Sequence, residues 1–214
     1  MLYATGVTTR DQPLGDWLAS LASRNPTPGG GAAAALSAAT GAALIGMVAS
    51  YTTGPKWADR EERMRALADQ ASVLRADALA VADDDVAAFS AVSAAYKLPR
   101  QTPAEQAARS AEIQRALIQA AAPPVRAGQL AARIVEMAAE LADSGNPSVL
   151  SDVAVASSAA RAALEAAIVN IEINRREVKD REAAARLGAV IGELEAAIAP
   201  AGRVVGAVRE RLRS

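Results

Sequence analysis

An all-α fold, a bundle of long alanine-rich helices in a single domain over residues 1–214, is what this sequence predicts, and three observations carry it. No β-branched run alternates at period two between turn signals anywhere in the 214 residues. Apolar residues make up 51% of the chain but aromatic ones only 3%, so the core must come from Ala, Val, Leu and Ile. Breaks rich in Pro and Gly divide long helix-period segments. Small side chains each bury little area, at roughly 25 cal/mol per Å², and offset this by letting helix backbones approach closely. A second copy of the chain would add buried area, so a homo-oligomer is expected.

The elements follow in order. Residues 13–23 read as a short helix with Trp17, Leu18 and Leu21 on one side. The Pro/Gly segment 25–31 breaks it. Residues 32–50 are apolar almost throughout, and their length would suit a membrane span. Ser37, Thr40, Gly41 and Gly46 make that hydrophobicity marginal, and a helix apolar all round is read instead as the central core helix. Thr52-Thr53-Gly54-Pro55 ends it. A long helix over 56–98 closes at Pro99. Thr102-Pro103-Ala104-Glu105 opens the next as a capping box, with Thr at N-cap, Pro at N1 and Glu at N3. Pro123-Pro124 interrupts, and helix resumes to 143, where Ser144-Gly145-Asn146-Pro147 signals a turn. An Ala-rich helix covers 148–176, and the charged run 175–182 reads as a bend. A last helix reaches 212, kinked or broken at Pro200-Ala201-Gly202.

Composition excludes whole classes of chemistry. The formal net charge is −1, which steers the chain toward neither nucleic acid nor an anionic membrane. Without Cys there is no disulfide framework or thiolate nucleophile. Without His, the commonest general base and transition-metal ligand are both missing. Ser-His-Asp chemistry and a His-ligated metal are ruled out. Catalysis must use Asp, Glu, Lys, Tyr or water. Residues 1–10 lack the charged and apolar regions of a signal peptide, so a cytoplasmic location is expected.

The long helix after Pro55 holds the sharpest pattern. Met64, Leu67, Ala71, Leu74, Ala78, Val81, Ala88, Val92 and Ala95 fall on steps of three and four, or on one step of seven, as a packed seam does. That step of seven, Val81 to Ala88, passes through Asp85. An acid on an apolar seam is costly unless it is paired or faces a cavity, and burial would raise its pKa toward the range useful for proton transfer. It is either a buried acid paired with Arg or capping a neighbouring helix, or a proton-transfer group. Asp83 lies about 160° away around the helix and is the weaker candidate.

The loop Pro26-Thr27-Pro28-Gly29-Gly30-Gly31 feeds into the core helix. Its free N–H groups favour an anion or carbonyl oxygen, though a tight turn under a crowded crossing would look the same. Asp152, near a helix start, is either favourable by dipole alone or part of a site. Asn170 and Asn174 share a face at i and i+4, and would line a wet cleft or bond across an interface. Lys97 is either a surface residue or an anchor for an anionic substrate tail.

Three ordered blocks tie these signals together. They are Ser23-Arg24-Asn25-Pro26-Thr27-Pro28-Gly29-Gly30-Gly31-Ala32-Ala33-Ala34, then Asp83-Asp84-Asp85-Val86-Ala87-Ala88-Phe89 with Tyr96-Lys97-Leu98-Pro99-Arg100-Gln101-Thr102-Pro103, and Gly145-Asn146-Pro147-Ser148-Val149-Leu150-Ser151-Asp152. The chain thereby resembles the formimidoyltetrahydrofolate cyclodeaminase/methenyltetrahydrofolate cyclohydrolase family over residues 14–180. One departure is the stretch Ser50-Tyr51-Thr52-Thr53-Gly54-Pro55-Lys56-Trp57, where the family tends to show Asn, Leu-Thr and a lysine-rich turn.

The resemblance implies an all-helical dimer that binds a tetrahydrofolate in a cleft and needs no metal or redox cofactor. It implies hydrolysis of 5,10-methenyltetrahydrofolate to 10-formyltetrahydrofolate or, as the alternative, ring closure of 5-formimidoyltetrahydrofolate with loss of ammonia. The run around Asp85 looks closest to bacterial stand-alone cyclohydrolases. Asp85 and Lys97 would be catalytic, with Lys97 meeting the glutamate tail or stabilising charge. Pro28, Gly29, Gly30, Gly31, Lys56, Asn146, Asp152, Asn170 and Asn174 would bind substrate. An inactive folate binder and a ligand-free scaffold are the readings from other classes.

Overall fold

The computed structural model describes residues 8–213, so most of the segment read for a targeting signal lies outside the described residues. Among these, seven α-helices and two 3-10 turns form, and no strand. The helices are α1 (Leu14–Leu21), α2 (Gly30–Ser50), α3 (Glu61–Tyr96), α4 (Pro103–Ala120), α5 (Ala122–Ser144), α6 (Leu150–Glu177) and α7 (Arg181–Arg211). The all-α expectation holds.

Helix α2 is the axis of the bundle, as its unbroken apolar run requires. It packs on α3, α5 and α6, and eleven of its 21 residues are buried. By length and composition alone α2 and the 147–177 segment would suit a membrane span; α2 is covered instead by its neighbours. Close approach is what its small residues allow. A methyl added at Gly41 would lie 3.1 Å from the Ala156 carbonyl and 3.3 Å from Ile134 Cγ2, so α6 and α5 press directly on the backbone. Helix α7 backs α5 and α6. Along α3, Met64, Leu67, Ala71, Ala78, Val81 and Ala95 are buried, which follows the seam.

Helix boundaries differ from expectation where local chemistry intervenes. Residues 55–57 form a separate 3-10 turn and α3 starts only at Glu61. There the Trp57 ring carries Lys56 Nζ 5.0 Å and Arg60 5.5 Å from its centroid, a local cation–π cluster. The capping box forms: Thr102 accepts from the Glu105 N–H, and Glu105 accepts from the Thr102 N–H. Pro123 and Pro124 occupy the first turn of α5, where a missing N–H costs nothing. The charged run holds a full break at 178–180, because Asp180 caps α7 by accepting from the Glu182 and Ala183 N–H groups. Conversely, α7 continues through Pro200. The carbonyl that Pro200 cannot serve belongs to Ala196, which is exposed and so open to water.

Candidate functional site

A cleft of about 400 Å³ opens where the start of α2, the second half of α3, the end of α4 and the second half of α6 converge. Each wall follows from helix periodicity. Asp85, Phe89, Val92 and Tyr96 recur at steps of four, three and four, which puts them on one face of α3. Asn170, Ile173, Asn174 and Glu177, at i, i+3, i+4 and i+7, likewise share one face of α6. Gly29, Gly30 and Gly31 form the floor at the head of α2.

The decisive contact is between floor and wall. A methyl added at Gly31 would lie 2.1 Å from Asp85 Oδ1 and 2.5 Å from its Cγ. Only glycine lets the carboxylate rest there. Burial pushes the Asp85 carboxyl upward from the ordinary aspartate value, opposed by a hydrogen bond from the Ala32 backbone N–H. That N–H belongs to the first turn of α2, whose N-cap, Gly29, offers no side-chain acceptor. Asp85 therefore takes a hydrogen bond from the first turn of a neighbouring helix and lines the cleft at once. Its neighbours point elsewhere. Asp83 Oδ1 accepts from the N–H and hydroxyl of Thr9, and Asp84 pairs with Arg126 at 2.8 Å.

On the facing wall, Asn170 Nδ2 donates to the Ala166 carbonyl at 2.8 Å, and Asn174 Nδ2 to the Asn170 carbonyl at 2.9 Å. Their amide nitrogens serve the helix backbone, and both residues line the cleft. Phe89, Tyr96 and Ile173 are 47%, 45% and 61% exposed, a concentration of large apolar surface that marks a ligand wall. At the far end Tyr96 Oη donates to Glu177 Oε2 at 3.2 Å. Partial burial, then the Glu177 charge, push the Tyr96 hydroxyl upward, so it remains a donor.

The structure thus brings together Asp85, Gly29, Gly30, Gly31, Asn170 and Asn174. The other expected site residues stand outside the cleft. Pro28 is buried beneath the loop, and Lys97 is exposed, one residue past the end of α3. Lys56 and Asn146 gather at the opposite end of α2, about 30 Å from its start. There Asn146 Nδ2 donates to the Tyr51 carbonyl at 2.8 Å, and its backbone N–H to Thr52 Oγ1 at 3.0 Å. Asp152 lies in the first turn of α6, about 27 Å along the helix from Asn170. Adjacency in a motif does not say at which end of a long helix a residue falls. Phe89, Tyr96 and Glu177 are cleft residues that the sequence reading did not single out; the first two follow from counting four and eleven residues on from Asp85.

Fold and site together define an all-helical protein with a glycine-floored cleft built around one half-buried carboxylate. The chain belongs to the formiminotransferase-cyclodeaminase family, whose model matches residues 13–193. It is 38% identical over 199 residues to a methenyltetrahydrofolate cyclohydrolase of Methylorubrum extorquens, covering 92% of this chain and 94% of that one. It is 33% identical over 202 residues to the formimidoyltransferase-cyclodeaminase of Rattus norvegicus, spanning 87% of this chain but only 37% of that protein. The crystal structure of a formiminotetrahydrofolate cyclodeaminase from Thermotoga maritima superposes with a TM-score of 0.86 at 28% identity, covering 95% of this chain and 98% of that one.

Proposed function

We propose that this protein is a methenyltetrahydrofolate cyclohydrolase, which hydrolyses 5,10-methenyltetrahydrofolate to 10-formyltetrahydrofolate. The similarity to the Methylorubrum extorquens cyclohydrolase across nearly the whole length of both chains carries the assignment. The cleft supports it chemically. The methenyl bridge is an amidinium cation, and the two ionisable acids of the lining, Asp85 and Glu177, are carboxylic.

In this mechanism water adds to the methenyl carbon and Asp85 takes its proton, giving a tetrahedral carbinolamine. The bond from carbon to N5 then breaks as Asp85 returns the proton to N5. The carbinol O–H releases its proton to solvent and becomes the formyl carbonyl. One water is consumed and one proton is released, and no cofactor enters the balance. A carboxyl raised by burial suits both directions of transfer.

The second reading is ring closure of 5-formimidoyltetrahydrofolate with release of ammonia, favoured by the Thermotoga maritima structural likeness. It passes through a similar tetrahedral carbon. Loss of methenyltetrahydrofolate absorbance, followed beside ammonia release from the formimidoyl compound, tests both. The cyclohydrolase reading requires the first above its spontaneous rate and fails if only the second occurs.

Two copies are proposed to associate through α6. Val155, Ala162 and Val169 repeat every seven residues, with Ala159 and Ala166 four beyond the first two. Val155 and Val169 are more than half exposed. This uncharged heptad stripe has the form of a helix-pairing seam, and a cytoplasmic homodimer is the matching proposal.

A further inference from the structure

Of the two carboxylates in the cleft, the proton chemistry above uses one. Glu177, the last residue of α6, is held at two points. Tyr96 Oη donates to its Oε2 at 3.2 Å. Gln114 Nε2 donates to its carbonyl at 3.1 Å, while Gln114 Oε1 accepts from the next-but-one N–H, that of Lys179, at 2.7 Å. Tyr96 is itself set by Arg109, which lies 5.6 Å from the ring centroid and donates to the Tyr96 carbonyl at 3.0 Å. Gln114 of α4 thus holds the Glu177 backbone, and Tyr96 of α3 holds its exposed carboxylate at the end of the cleft.

Its chemistry is that of an acceptor pair. A carboxylate has about four lone-pair directions, and the Tyr96 hydroxyl engages one. Asp85 and Tyr96 lie eleven residues apart, about 16 Å along α3, with Phe89, Val92 and Ile173 forming the apolar stretch between the acidic ends. No Lys or Arg lines the cleft among the described residues, so neither end suits an anionic tail. A carboxylate fits a ligand edge with two adjacent N–H donors, which the N3–H and 2-amino group of an amino-pyrimidinone ring present.

We propose that Glu177 binds the amino-pyrimidinone edge of the pterin, with Tyr96 as the residue that positions its carboxylate. This rests on the folate reading of the cleft. Glu177 is then a binding residue and Asp85 the proton carrier, so the two acids divide recognition from chemistry.

Calorimetric titration with 6-methyltetrahydropterin, its 2-oxo (lumazine) counterpart and p-aminobenzoylglutamate tests the assignment. Wild type should bind the tetrahydropterin about tenfold or more tightly than the lumazine, as expected for a charge-assisted donor pair. Glu177→Gln should abolish that preference, and Tyr96→Phe should weaken it by a few fold. Neither should alter p-aminobenzoylglutamate binding, and both should raise KM for methenyltetrahydrofolate far more than they lower kcat. Equal wild-type affinity for pterin and lumazine, which needs no variant, would overturn the assignment. So would a Glu177→Gln protein that keeps the preference or loses only p-aminobenzoylglutamate. If wild type binds none of the three ligands and no folate, the folate reading itself falls, and this assignment with it.

Discussion

A methyl group on Gly31 would sit 2.1 Å from Asp85 Oδ1, closer than any tolerated contact, so these two residues on different helices specify each other. The glycine at the head of α2 is there for the carboxylate on α3. Gly31→Ala should displace Asp85 and lower kcat/KM by about 100-fold, the scale of a misplacement near 1 Å. Because the change falls in a helical first turn, circular dichroism should remain helical. Wild-type turnover by a folded Gly31→Ala protein would show that the contact is dispensable.

Asp85 also links stability to pH. Burial raises its pKa in the folded state, so the folded protein holds the proton more tightly than the unfolded chain. The stability that this contributes is fully present below the unfolded pKa and is lost as pH rises through the folded one. Asp85→Asn, which stays neutral, should therefore be more stable than wild type at pH 7 and nearly equal to it at pH 4. Urea midpoints at the two pH values measure this. An advantage larger at pH 4 would reverse the sign and contradict the burial argument.

Thr52 and Asn146 hold the opposite end of α2. Fully buried Thr52 Oγ1 donates to the Val48 carbonyl at 2.7 Å and accepts from the Asn146 N–H at 3.0 Å. Thr52→Val leaves that N–H unpaired and should cost about 1–3 kcal/mol in urea unfolding. Asn146→Ala, which loses the side-chain bonds to the Tyr51 carbonyl and the Ser148 N–H, should cost about 1–2 kcal/mol. No change in either midpoint would remove the structural role given to this cluster.

The heptad stripe on α6 predicts the oligomer. Sedimentation should give a dimer for wild type and a monomer for Val155→Glu/Val169→Glu, since charges on a helix-pairing seam are left without partners. A wild-type monomer at micromolar concentration would contradict the proposal.

Much of the fold was legible because it depends on composition and period. The uncharged run of α2, broken by Ser, Thr and Gly, pointed to a central helix, the three-and-four spacing of α3 exposed its buried seam, and Thr102 with Glu105 marked a helix start. Asp85 stood out because an acid broke that seam. The rest of the cleft was hidden for a physical reason. Phe89 and Tyr96 occupy the exposed side of α3 and look like ordinary surface residues until α6 lies opposite. Lys97 does not line this cleft because one further residue turns the helix about 100° away from it. Asn146 and Lys56 fall outside this cleft, and the sequence gives no sign that α2 separates them from the glycine loop by its full length.

The central claim is that Asp85 moves the proton during methenyltetrahydrofolate hydrolysis. The most direct measurement is the decay of methenyltetrahydrofolate absorbance with wild type and with Asp85→Asn, each verified as folded. The prediction is turnover well above the spontaneous rate for wild type and a kcat at least about 100-fold lower for the variant, a typical loss for a proton-transfer group. A folded Asp85→Asn protein with undiminished turnover would contradict it.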